Sequence, residues 1–420
     1  MSSRLRSRRT AAAAVLAMLA SAVTGSCSAG DDKGVSGVCP PDTPGVRPGQ
    51  LELGAIFPDT GALSGPFRAS RTGIEARIGL ANATGGVHGR QILFEWRDDE
   101  SSGEKNLVAA RDLVENSGAF GLIETTAVAS GSADYLTSVN VPVTGMPVEP
   151  VWGGHANMFT FGFPYADGPS VNTFGLYAAH AGGSRAVMLR QSLSASAQVI
   201  AEKLTESLAS QRIPVVATID YTEGISSPTQ VAAAILRAGA DVVVGAIPGG
   251  SLVMVLKTLR ELGGSPRAVF GPDGYDPRII TEHGRAVAGL SVYTPVTPFE
   301  IPSTAMDTYR SAVATYTPES DRPDQFTALQ AYIATDLFLR GLEAAGPCPT
   351  RAGFIAALRN VNDYDAGGLL PEPVDLRPGG ARLSKCYYFV QVNSAGSAFE
   401  INPGGGGANR LQWCGEQLAG

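Results

Sequence analysis

Apolar residues along this chain fall into short uninterrupted runs that alternate with longer segments in which they recur every three or four positions. Residues 51–58 form such a run, bounded by turn residues, the pattern of a strand buried on both faces. The segment 66–83 puts Ile74, Ile78 and Ala81 on one helical face and stops at Gly85-Gly86. Residues 92–99 read as a second strand, and 106–115 as a helix with Leu107, Ala110 and Val114 aligned. Residues 120–123 and 141–145 read as further strands.

The alternation then starts again. Strands are expected at 185–190, 215–221, 241–247, 268–271 and 290–296, with helices at 196–210, 230–238 and 251–262 between them. Strands separated by helices pair in parallel and carry helices on both faces. Two such series are expected to form two doubly wound α/β lobes, each below the size at which a single core stops growing. After residue 296 the pattern turns helical (304–315, 326–345 and 352–360) and ends in a hairpin at 385–392 and 398–402. The expected organisation is a first lobe from 51–163 plus about 296–383, a second from 164–295 plus about 384–402, and an extension over 403–420.

The N-terminus reads as a targeting segment. Arg4, Arg6, Arg8 and Arg9 precede a small apolar run from Ala11 to Val23, and Thr24-Gly25-Ser26-Cys27 closes it. That ending resembles a lipobox, in which a Cys after small residues is acylated, with Thr24 where Leu or Val is usual. Simple secretion, with cleavage after Ala20-Ser21-Ala22, is the alternative. The pair Arg8-Arg9 also opens a twin-arginine route, although Thr10, Ala11 and Ala12 do not continue that signal. Residues 28–50, rich in Gly, Pro and Asp, read as a tether.

Cysteine use agrees with export. With Cys27 as lipid anchor, Cys39, Cys348, Cys386 and Cys414 remain, an even number expected to form two disulfides. Of the three connectivities, Cys39–Cys414 with Cys348–Cys386 is favoured. No CxxC spacing exists and the few His lie far from the Cys, so no metal and no cofactor is expected. A net charge of −7, from 32 Lys and Arg against 39 Asp and Glu, comes with no basic run after the first ten residues, which speaks against nucleic acid as partner.

Several segments in order resemble the type I periplasmic binding proteins, specifically the Leu/Ile/Val-binding branch of ABC-transporter solute receptors. Pro58-Asp59-Thr60-Gly61-Ala62-Leu63-Ser64 is similar to the family's "P-x-T-G-x-L-S" turn, and Asn82 to Arg90 to its "N-x-x-G-G-I-x-G-R" helix exit. Trp96-Arg97-Asp98-Asp99, Gly239 to Val244 and Gly271-Pro272-Asp273-Gly274 stand at further family positions, the last resembling the "G-P-E-G" turn that carries an acidic ligand contact. The resemblance implies a Venus flytrap of two lobes joined by crossover strands. It further implies a small polar solute in the cleft, an ABC permease as membrane partner and a monomeric receptor.

The implied contacts carry over unevenly. Thr125, Thr126, Ser130 and Ser132 supply hydroxyls on the first loop, but Val128 stands nearest the family's key serine. The second loop, Gly145 to Glu149, lacks the hydroxyl that helps hold a ligand carboxylate. Asp273 keeps a carboxylate where an α-ammonium would bind, and Arg190-Gln191 replaces an aromatic-Gly pair. The candidate ligand-binding residues are thus Thr125, Thr126, Ser130, Asp167 and Asp273. Each has a plainer reading. The threonines cap a turn, Asp273 holds its own turn, Asp167 caps a helix, and Asp98 and Asp99 end a strand at the surface.

Catalysis is not expected. The chain lacks G-x-S-x-G, H-E-x-x-H, P-loop and G-x-G-x-x-G motifs, and His88, His155, His180 and His283 are scattered. A ligand-sensing lipoprotein that signals to a membrane partner is the alternative use of the same architecture. If Cys27 carries the lipid, Cys27→Ser should move the protein from the membrane to the wash fraction, and unchanged fractionation would refute the anchor.

Overall fold

Strand β2 (Gln50–Phe57) is buried at every position from Leu53 to Phe57, as a central parallel strand must be. It belongs to a computed structural model that describes residues 43–61, 64–191, 194–320, 322–404 and 410–419. β3 (Gln91–Asp98) pairs along one side of β2. β4 (Leu122–Glu124), β5 (Val143–Gly145) and β6 (Met158–Thr160) follow on the other side, all parallel. A short β1 (Val46–Arg47) turns back antiparallel on the start of β2. The connecting helices are α1 (Ser64–Phe67), α2 (Ser70–Ala83), α3 (Gly103–Arg111) and α4 (Ser130–Ser138).

The second sheet runs β13-β12-β11-β10-β9-β7-β8. Its parallel part is β7 (Ala186–Arg190), β8 (Val215–Asp220), β9 (Val242–Ala246), β10 (Ala268–Gly271) and β11 (Leu290–Thr294). Helices α5 (Thr173–His180), α6 (Ala195–Ser210), α7 (Pro228–Ala238), α8 (Gly249–Glu261) and α9 (Pro277–His283) alternate with them. The chain then supplies α10 (Thr304–Tyr316), α11 (Phe326–Ala345) and α12 (Arg351–Leu358), whose Met306, Tyr309, Leu337 and Phe354 share one core with Leu53 and Phe57. It returns as β12 (Cys386–Val392) and β13 (Phe399–Asn402), antiparallel on β11, and ends with β14 (Trp413–Cys414) on β12.

Each sheet therefore carries apolar clusters on both faces, and two lobes result. Close approach of α2 to α11 needs a glycine. A β-carbon at Gly73 would lie 2.0 Å from the Ala328 carbonyl oxygen. Gly61 (φ +88°) faces the Glu100 carbonyl in the same way, which seats the loop after β2 on the loop after β3.

Several elements differ from the sequence expectation. The segment 66–83 is two helices, broken between Phe67 and Ser70, and the helix at 106–115 starts at Gly103 and passes into a π-turn at Asp112–Asn116. Helices α4, α5 and α9 carry Ser, Gly and Pro residues that weaken a helical pattern. Asp99 does not end a strand at the surface: it is completely buried.

The disulfide pairing is also corrected. Cys386 bonds to Cys414, not to Cys348, because β14 lies antiparallel on β12 with these two residues directly opposite, their Cα atoms 4.1 Å apart. Cys348 is disulfide-bonded as well, to neither of them; Cys27 and Cys39 lie outside the described residues. The bridge holds Trp413 against Tyr177 and Phe389, with ring centroids 5.3 and 6.0 Å away. Replacing Cys386 and Cys414 by Ser should cost about 2–4 kcal/mol in denaturant unfolding. It should also shift Trp413 emission to the red; unchanged emission would show that β14 stays in place without the bridge.

Candidate functional site

The register of the first sheet brings Asp98 beside Phe57, and Ile56 beside Glu124 beside Gly145, so the carboxyl ends of β3, β2, β4 and β5 share one edge. In open α/β sheets ligands sit at such an edge. Here it is built of acids. Asp98 closes the loop after β2 by accepting from the Asp59 amide at 3.0 Å and the Thr60 hydroxyl at 2.6 Å. Burial opposes its ionisation, but hydrogen bonds from Thr60, Glu100 and Asp59 outweigh that and hold its carboxyl below the usual range. Asp99, next in sequence, points inward to Asn106, with 3.4 Å between Asn106 Nδ2 and Asp99 Oδ2.

Glu124, the last residue of β4, is completely buried. It accepts from the Ser132 hydroxyl at 3.0 Å, and Asn106 Nδ2 lies 3.5 Å away. Burial pushes its carboxyl up to about 8, with the charges of Asp99 and Glu149 adding to the shift. Burial also raises Asp99 and Glu149, against the hydrogen bonds each accepts. The first turn of α4 explains where Glu149 goes. Ala129, at the N-cap, has no side-chain acceptor to offer. Glu149 supplies one from the next loop, taking the Ser130 hydroxyl at 2.8 Å and the Ser130 amide at 3.2 Å.

The second lobe repeats this arrangement. Helix α8 begins after Pro248 without a side-chain cap of its own. Asp273, in the turn after β10, accepts from the Gly249 amide at 2.9 Å and from the Gly274 amide at 2.8 Å. Arg190, at the end of β7, pairs with Asp220 at 2.8 Å.

Between the lobes lies a cavity of about 1130 Å³. The first lobe contributes Asp59, Arg68, Arg71 and Trp96 to it; the second contributes Gly249, Asp273 and Tyr275; the approach to α11 contributes Arg322 and Asp324. The first lobe's aromatic face in the cavity is Trp96, stacked on Phe57 at 4.9 Å with the Arg71 guanidinium 5.7 Å from its ring.

Of the residues expected from sequence, Asp273 alone lines this cavity. Thr125 and Thr126 are completely buried beneath the edge. The Thr126 hydroxyl bonds Asp99, whereas the Thr125 hydroxyl has no partner. Ser130 is committed to Glu149, and Asp167 is exposed in the first crossover, where Asn172 rather than Asp167 precedes α5. Sequence reasoning missed Asp99, Asn106, Glu124 and Glu149 as a group. The available signal was a carboxylate ending the apolar run 121–123, where a buried strand has no reason to place one. Among the described residues no group of three or more His, Cys, Asp or Glu is placed to hold a metal ion.

The raised carboxyl sets a pH dependence with a definite sign. Between the ordinary value of 4.5 and about 8 the folded protein keeps a proton on Glu124 that the unfolded chain has lost. Stability therefore falls as pH rises through that window, by up to about 1.4 kcal/mol per pH unit from this group. Glu124→Gln should flatten the slope in urea unfolding series, leaving contributions of the same sign from Asp99 and Glu149. A slope identical to the parent's would show that Glu124 ionises normally.

The chain matches the periplasmic binding protein family over residues 50–397. No curated protein sequence matches it significantly. Among solved structures, the leucine-binding protein LivK of Thermotoga maritima is similar at 17% identity and a TM-score of 0.69, covering 84% of this chain and 97% of its own. The branched-chain amino acid binding protein LivJ of Streptococcus pneumoniae, in complex with isoleucine, is similar at 16% identity and a TM-score of 0.67, covering 84% and 99%. A fatty acid ABC transporter substrate-binding protein of Thermomonospora curvata is similar at 16% identity and a TM-score of 0.69, covering 86% and 93%. With two α/β lobes, a cavity between them and a family match over most of its length, this chain belongs to the periplasmic binding protein family.

Proposed function

We propose that this protein is the extracytoplasmic solute-binding lipoprotein of an ABC importer. On this reading Cys27 anchors it at the outer face of the membrane, and it delivers a small polar solute from the interlobe cleft to a permease. The observation that carries the reading is the cavity itself: it is lined from both lobes, and the turn after β10 presents the exposed Asp273 to it. Such a site gains its solute by closure of two rigid walls, and no reaction is required of it.

The chemistry of the edge narrows the solute. The α4 N-terminus, a natural anion site, already holds Glu149, and the buried acids Asp99 and Glu124 stand behind it. A solute carboxylate directed there would meet negative charge in place of free amides. A solute that presents hydrogen-bond donors to that edge, an amide or amine, fits it better, while Arg68 and Arg71 on the cavity wall leave room for an acceptor elsewhere on the same molecule. The similar structures do not decide the matter, since their descriptions name isoleucine for one and a fatty acid for another.

A thermal-shift screen of the exported protein against amino acids, amides, urea and small acids tests the reading. A cognate solute at about 100 times its Kd adds roughly 2.7 kcal/mol, a rise of several degrees. For an amine or amide solute, Asp273→Ala should weaken binding at least about thirtyfold, because the donor loses a charged acceptor. Asp273→Asn separates that loss from the loss of the α8 cap, since it keeps an oxygen for the Gly249 amide. Undiminished binding in both variants would remove the 271–274 turn from the site.

A further inference from the structure

Tyr275 follows the turn that carries Asp273, and its side chain is buried at the junction of the two lobes. Its ring stacks on Phe299 with centroids 5.7 Å apart and meets Phe326 edge-on at 5.4 Å and Phe399 edge-on at 5.1 Å. These neighbours come from different bodies. Phe299 lies in the crossover between β11 and α10, Phe326 opens α11 of the first lobe, and Phe399 opens β13 of the second. The Tyr275 hydroxyl donates to Glu300 and accepts from the Phe299 amide at 3.0 Å.

The crossover is fixed in turn from the first lobe. Arg310 on α10 donates to the Phe299 carbonyl at 3.0 Å, lies 5.9 Å from the Phe299 ring and is held by Asp324 at 2.9 Å. Phe299 touches Tyr309 at 6.3 Å, and Tyr309 meets Tyr332 at 5.2 Å. An unbroken series of ring contacts thus runs from Tyr332 on α11 through Tyr275 to Phe399 on β13.

We propose that Tyr275 is the positioning residue of the cleft: it ties the turn after β10 to the second crossover and to α11, and so sets the angle between the lobes at which Asp273 faces the first lobe. The proposal rests on the solute-binding reading only for what the cleft holds. The lobe angle is measurable on the solute-free protein, so the two fail separately. Pulling the lobes apart on this side exposes four aromatic rings and leaves the Phe299 amide without its partner, a cost that the crossovers alone do not impose.

Single-molecule energy transfer between dyes placed through non-natural amino acids at Val108 and Ile225 leaves every disulfide intact. These residues are 63% and 83% exposed and lie one on each lobe. The parent should show a distance distribution dominated by the shorter separation, with a minor longer one. Tyr275→Phe keeps the ring contacts but loses both hydroxyl bonds, and Glu300→Ala loses one. Each should raise the ratio of longer to shorter separations by about tenfold or more, the equivalent of one hydrogen bond to a charged group. Glu300→Gln, which keeps an acceptor, should restore the parent distribution. If Tyr275→Phe and Glu300→Ala superimpose on the parent, the proposal is overturned, whatever happens to their melting temperatures. If one variant does not fold, the other decides.

Discussion

A helix that follows a parallel strand begins with amide groups that nothing in the helix can satisfy. Here α4 and α8, one at the carboxyl edge of each sheet, carry no capping side chain of their own, and each takes a carboxylate from the next strand–helix loop. Glu149 serves the first and Asp273 the second. That borrowing fastens neighbouring loops to one another across each sheet edge. It also fills with protein charge the positive helix ends that would otherwise attract an anion. The character of the site follows from this one requirement.

Behind Glu149 the edge is stranger. Asp99 and Glu124 are buried close together with Asn106 between them, an arrangement that becomes affordable only when a proton is retained. A neutral Glu124 is a donor as well as an acceptor, which lets the network close without a counter-ion. The carboxyl edge of the first sheet therefore rests on a layer whose charge is set by burial and not by composition. The overall charge of −7 gives no hint of where the acids gather.

Much of the architecture was legible. The run 241–247 and the periodic 251–262 announced β9 and α8 because burial on both faces leaves no polar positions in a strand, and burial on one face leaves a stripe in a helix. The 326–345 helix was legible from its length and dense apolar content, since it is buried on nearly every face from Ala328 to Leu342. What escaped was what depends on pairing at a distance. The cysteines could be counted but not matched, since β14 reaches β12 through only two residue pairs. Asp273 was singled out as a candidate ligand contact; its role as the cap of α8 could be seen only by knowing that Gly249 lies opposite it. Thr125 and Thr126 looked like a binding loop in the sequence, yet they sit beneath the surface, and Tyr275 carried no motif at all.

The core that contains Leu51 and Phe57 also contains Leu337 and Leu376, and the whole parallel part of the second sheet lies between those segments in sequence. A chain emerging from its N-terminus thus holds half of one core in an unfinished state while the other sheet takes shape. Contacts of such long range are slow to form, and unfinished parallel edges are prone to wrong partners. The second sheet in turn waits for β12, which arrives only after α12. Neither body can finish alone, and their assembly is one interdependent event that no cut in the chain would divide.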